Sequence, residues 1–147
     1  MNAQQILADL AAQADWYSKL LKLAYLQHAL IEQERTDDLL VVLERRNLIV
    51  EQLSLIEQRL KPIKLNWAEV SAKMSGDDQV RVRAAFSEVR DLLGQITQAD
   101  QDDTMLLNQR KISVGQQLRA TNAGLQTNRR YAAGAYAGVG SRMDVSR

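Results

Sequence analysis

Apolar residues recur along this chain in alternating steps of three and four, and three such runs account for most of its length. The first comprises Leu7, Leu10, Ala14, Tyr17, Leu21, Ala24, His28 and Ile31. That spacing places them on one face of a helix with coiled-coil-like packing. Trp16, Leu20, Leu23 and Leu30 widen the stripe, which suits a bundle helix better than a two-stranded seam. The run ends near "ERTDD", where Thr36 or Asp37 stands ready to cap the next helix.

A second run, Leu39, Val42, Arg46, Ile49, Leu53, Ile56, Leu60 and Ile63, contains Pro62. Proline has no amide proton and its ring crowds the preceding turn, so a kink or stop is expected close to Leu60. "NWAEV" reads as a restart, with Asn66 as N-cap and Glu69 at capping-box spacing. This short helix should finish at "KMSGDD", where Gly76 favours a turn and Asp77 or Asp78 caps the third long helix. In the third run, Val82, Phe86, Val89, Leu93 and Ile96 keep the heptad and Asp100 and Asp103 take the next two stripe positions. Leu107, Val114, Leu118 and Leu125 then resume it, and helix signals fade around Gly124.

Short connections imply antiparallel neighbours. The expected fold is all-α: an antiparallel bundle of three long helices plus one short helix after Pro62, with a flexible C-terminal tail. Residues 1–127 form the helical domain, and 128–147 form a basic Gly/Ala-rich tail. A second helix ending at Pro62 would span about 37 Å, while a third of about 50 residues would be roughly twice that. The face made by Leu107, Val114, Leu118 and Leu125 would then find nothing in the hairpin to pack against. Gly115 and Gly124 weaken that helix further, by about 1 kcal/mol each relative to Ala. An apolar stripe on a poorly supported helix is expected to dock a partner or a second copy of the chain.

Composition narrows the partners. The 147 residues have a formal charge of +1, but four Arg and one Asp fall in 128–147, so a weakly acidic body precedes a basic tail. Such a balance argues against strong attraction to nucleic acid or to an anionic membrane. No cysteine is present, which removes disulfides, thiolate catalysis and Cys-based zinc sites. "MNAQQILADL" lacks the features of a signal peptide, and no stretch approaches the roughly 18 apolar residues of a membrane span. A reducing cytoplasm and no stable membrane insertion are the expectation.

Chemistry is sparse. His28, the single histidine, reads as a partly buried core or interface residue. Asp100, Asp102 and Asp103 in "ADQDD" match neither an EF-hand loop nor the Glu-x-x-His pattern of a di-iron bundle, and read as a solvated interruption. They would mark where the third helix leaves the hairpin. "GAYAGVG" follows no strand, so it fails the structural test for a phosphate loop. Trp16 and Trp67 fit core or cap positions, and "NRRY" is a weak phosphate signal on an acidic body. No catalytic residue, metal site or cofactor is expected, and the chain reads as a non-enzyme.

In "LLKLAYLQHALIEQERTDDLLVVLERRNLIVEQLSLIEQRL" the first helix, the polar turn and the start of the second follow a layout that resembles the FlgN family of flagellar type III export chaperones. Members commonly place a lysine where this chain has Arg45 or Arg46. "LLNQRKISVGQQLRATN" is similar to that family's Asn/Gln-rich, Leu-spaced C-terminal helix, and Tyr136-Ala-Gly-Val-Gly140 to its short Tyr-x-x-x-Gly motif. The Ala-rich tail, with Ala137 and Val139 inside the motif, departs from the family pattern.

The resemblance implies a cytoplasmic chaperone for the C-terminal helical segments of the hook–filament junction proteins FlgK and FlgL. It also implies delivery to the cytoplasmic domain of the export-gate protein FlhA. It puts substrate binding on the stripe of Leu107, Val114, Leu118 and Leu125, and gate binding on Tyr136, with Tyr131 second. The alternative is a generic helical adaptor or coiled-coil subunit that uses the same stripe to form a homodimer. A nucleic-acid accessory protein using the arginines of the tail is a third, weaker reading.

Overall fold

The structure, a computed structural model, describes residues 1–110 and Gly124. Among these residues there are four helices, in the order α1 (Ala3–Glu32), α2 (Thr36–Leu65), α3 (Trp67–Ala72) and α4 (Gly76–Arg110). The described part is an antiparallel arrangement of three long helices with one short helix after Pro62. Helix α1 packs closely against both α2 and α4, whereas the backbones of α2 and α4 seldom approach one another.

The buried face of α1 is Ile6, Leu10, Gln13, Tyr17, Leu20, Ala24, Gln27, Leu30 and Ile31. Half of the expected positions belong to it. Leu7, Ala14, Leu21 and His28 lie one residue further on and are only partly buried. Two glutamines fill the core positions that apolarity alone assigns to Ala14 and His28. On α2 and α4 the expected stripes are buried almost throughout, with Ile49 partly covered and Leu43, Val50, Glu57 and Lys64 of α2 inside in addition. At the start of α1, Asn2 and Gln5 form a reciprocal capping box, each side chain accepting the other's backbone N–H at 2.9 Å.

Several expected boundaries are corrected. Helix α2 runs through Pro62 to Leu65. Proline removes only its own bond to the carbonyl four residues back, and the buried side chains of Leu60, Ile63 and Lys64 hold its turn to the core. Asn66 holds the N-cap position of α3 as expected, but without a side-chain cap bond: its side chain donates instead to Pro62 O at 2.9 Å and finishes α2. Ser75 takes the capping role expected of Asp77 or Asp78, accepting from Asp78 N at 3.1 Å. Thr36 is the first residue of α2 rather than its cap, and Arg35 pairs with Asp38 at that end.

Over the described residues the expected length mismatch does not arise. At 30 residues each, α1 and α2 span about 45 Å. Helix α4, at 35 residues, reaches the α1–α2 corner at Arg110, whose Nη1 donates to Glu32 O at 2.8 Å. Up to that residue it stays against the hairpin.

The corner itself turns on Glu34, whose φ of 55° lies in the left-handed region. An L-residue pays roughly 1–2 kcal/mol there, part of which glycine would lose again through its freer unfolded chain. Glu34→Gly is therefore expected to stabilise the protein by about 0.5–1 kcal/mol, measured by chemical denaturation. An unchanged or lowered midpoint would show that the Glu34 side chain, 3.8 Å from Arg110, outweighs the backbone term.

Candidate functional site

The most unusual chemistry lies inside the bundle. Arg46 is fully buried on α2. Its Nη1 and Nη2 each donate to one carboxylate oxygen of Asp100 on α4, both at 2.6 Å, and Nη1 also donates to Gln27 Oε1 on α1 at 2.6 Å. Gln27 passes the chain on, its Nε2 donating to Asp103 Oδ2 at 2.7 Å. Asp103 Oδ1 lies 2.7 Å from His28 Nδ1, and His28 Nε2 lies 3.1 Å from Glu32 Oε1 at the surface. One residue after another, the contacts run from the core to solvent and join all three long helices.

This overturns the reading of Asp100 and Asp103 as a solvated interruption: they are 4% and 0% exposed. The heptad had placed them correctly on the inner face, and Arg46 supplies the charge that lets them stay there. Asp102, between them, is exposed and accepts from Gln98 at 3.1 Å. His28 also gains acidic neighbours, Glu32 one turn along and Asp103 across the interface. Its pKa is raised, first by the Asp103 bond, with partial burial opposing. Burial pushes the Asp103 carboxyl up, against the bonds from His28 and Gln27.

A second polar cluster crosses the other half of the bundle. Glu57 accepts from Gln13 Nε2 at 2.9 Å and from Lys64 Nζ, all three residues being buried. The Lys64 ammonium also faces the Phe86 ring. Burial lowers the Lys64 pKa while Glu57 opposes the shift, and burial, with the Glu57 charge behind it, raises that of Tyr17. Neither cluster offers a nucleophile next to a base, and among the described residues no group of three or more His, Cys, Asp or Glu can hold a metal. The arrangement sets register and does not point to a reaction.

Of the expected binding residues, Leu107 is described, and it is buried. It packs with Leu30, Ile31, Leu39, Val42 and Leu43 in a small cluster at the α1–α2 corner. The expectation that the hairpin offers it nothing to pack against is corrected; once α2 spans its full 30 residues, the corner reaches it. Val114, Leu118, Leu125, Tyr131 and Tyr136 lie outside the described residues. Gly124 is placed beside the middle of α2, where a Cβ would come within 3.0 Å of Val50 Cγ1. It therefore sits next to the bundle, not on the extended axis of α4.

A feature that sequence reasoning missed is an exposed row on α2: Val41, Leu48 and Leu55, at 45%, 63% and 51%. They recur every seven residues on the side away from the core. Their spacing was legible, but the stronger inner stripe of the same helix obscured it. At the opposite end of the molecule a cleft of about 560 Å³ lies between the start of α1 and the α3–α4 connection, with Ile63, Val70 and Met74 among its walls.

Comparison with family models, with curated proteins and with solved structures returns no match.

Removing one partner of a buried ion pair leaves the other charge uncompensated, at a cost of about 3–5 kcal/mol. Asp100→Asn is expected to destabilise by that amount in urea titration. The double variant Arg46→Met/Asp100→Leu should recover more than half of the loss. A double variant no more stable than Asp100→Asn would place the deficit elsewhere than on the stranded guanidinium.

Proposed function

We propose that this chain is a cytoplasmic export chaperone of the FlgN kind. In this reading it binds the amphipathic C-terminal helical segments of FlgK and FlgL and hands them to the cytoplasmic domain of FlhA. The observation that carries the proposal is the resemblance of residues 20–60 and 106–122 to that family. The described residues form an all-helical bundle, which agrees with that layout. No described helix is long and apolar enough to cross a membrane.

The mechanism is helix-in-groove recognition, in which apolar anchors at heptad spacing cover a partner's apolar face. Junction-protein termini that would otherwise self-associate are kept apart while so covered. With Leu107 committed to the corner cluster, the substrate stripe in this proposal begins beyond it, at Val114, Leu118 and Leu125. Tyr136, with Tyr131 second, supplies the gate contact; a tyrosine combines a large apolar ring with a hydroxyl at low rotamer cost.

The second reading, a helical adaptor or self-assembling subunit, is favoured by one observation, the exposed Val41–Leu48–Leu55 row. The two readings separate by mutation. In the chaperone reading, Leu118→Asp weakens a one-to-one complex with an isolated junction-protein C-terminus by at least about tenfold, or 1.4 kcal/mol. Tyr136→Ala leaves that complex intact and removes only gate binding. Calorimetry and pull-down on the isolated FlhA domain read both. A complex indifferent to Leu118→Asp, or sedimentation showing a dimer that Leu48→Asp breaks, would favour the adaptor.

A further inference from the structure

His28 is held between two carboxylates, with Nδ1 2.7 Å from Asp103 Oδ1 and Nε2 3.1 Å from Glu32 Oε1. A neutral imidazole carries a single N–H, so it can donate to one of these oxygens and must turn a lone pair toward the other. Only the protonated ring donates to both. The charge count behind the ring gives the same answer. Asp103 is fully buried, and Asp100 beside it is already matched by Arg46 from α2. With His28 neutral, the layer holds one carboxylate in excess; with His28 protonated, it is balanced.

Of the other charges around the ring, Glu32 adds a further carboxylate that favours the protonated form, and the rest are engaged elsewhere. Glu32 is on its own helix, and α4 contributes Asp103, with Asp100 behind it. Arg46 is committed to Asp100 and Gln27. Arg110 at the corner is engaged with Glu32 O and lies near Glu34.

We propose that His28 is a proton-operated clasp: protonated, it fastens the last turns of α4 to the α1–α2 corner, and on losing its proton it loosens them. The section it controls begins at Asp103 and includes Leu106 and Leu107, which pack on the corner, and Arg110. That small cluster is separate from the main core, so it can open without unfolding the rest. A base whose folded pKa is raised contributes stability that is complete below its unfolded value, here the ordinary 6.5. That contribution disappears as pH rises through the folded value. Asp103, raised chiefly by burial, has the same sign at lower pH, because its folded form also favours the proton. The clasp stands apart from the chaperone reading and does not depend on it.

The full chain can be tested directly, since its one histidine ring gives a single set of NMR resonances. Ring titration and residue-resolved amide exchange, corrected for intrinsic rates, are followed from about pH 5.5 to 9. The ring is expected to titrate above 6.5. Residues 103–110 should exchange faster above that midpoint while 82–96 do not. At the alkaline limit the opening constant rises about tenfold for each tenfold by which the closed state binds the proton more tightly than the open one. Glu32→Gln, at an exposed position, lowers the midpoint. His28→Gln fixes residues 103–110 at the alkaline rate at every pH. A midpoint at or below 6.5, or exchange in 103–110 that moves in step with 82–96, overturns the clasp. Should His28→Gln not fold, a midpoint unmoved by Glu32→Gln overturns it equally.

Discussion

The rest of the bundle is arranged around one buried guanidinium. Taking Arg46 out of water carries a penalty of several kcal/mol that only well-placed partners offset, and those partners come from two different helices. Asp100 on α4 meets it with both oxygens and Gln27 on α1 with one. Sliding α4 by one turn, about 5.4 Å, would leave the charge alone, and sliding α1 would take away the second acceptor of Nη1. Aliphatic side chains impose no such condition, because leucine packs acceptably against leucine at many offsets. The Gln13–Glu57–Lys64 cluster adds a second fixed point. Gln13 and Gln27 stand two heptads apart on α1, and each donates to a buried carboxylate. Two such points along a helical interface determine both its direction and its register.

The polar layer also divides the interior unequally. On one side lies a large cluster with contributions from all four helices, including the edge-on pair Trp67–Phe86. On the other is a cluster of six buried residues at the α1–α2 corner. Free energy of local opening follows the apolar surface that must be exposed, so the corner is the weaker end. The same end holds the left-handed Glu34 and the half-exposed His28. Backbone strain, a small core and a titratable group thus fall within the same few turns of the structure.

Much of this was legible in the heptads. The all-helical class, the antiparallel order, the short helix after Pro62, every buried position of α4 and seven of the eleven on α2 emerge from spacing alone. The inner placement of Arg46, Asp100 and Asp103 was legible too, but its meaning was not. Pairing residues 54 apart in sequence requires knowing which turns lie level, and a carboxylate on a stripe looks the same whether water or arginine meets it. The error on α1 has a related cause. Gln13 and Gln27 hold core positions, so a reading by apolarity moved the stripe to Ala14 and His28. Pro62 misled because the bond it removes is outweighed by the burial of Ile63 and Lys64 just beyond it, which the run of spacings does not show. The binding stripe past Leu107 and the two tail tyrosines rest on sequence alone.

The central position of α1 has a consequence for synthesis. Helices α1 and α2 can pair as soon as both have left the ribosome, but α2 and α4 barely meet, so α4 has α1 as its principal docking surface. Some 45 residues separate the end of α2 from the end of α4, a few seconds of translation at about 5–20 residues per second. During that interval Arg46, still without Asp100, remains hydrated on the face that α4 will cover. A wet charge there resists premature burial against the wrong surface, so the group that later fixes the register first keeps the unfinished hairpin open.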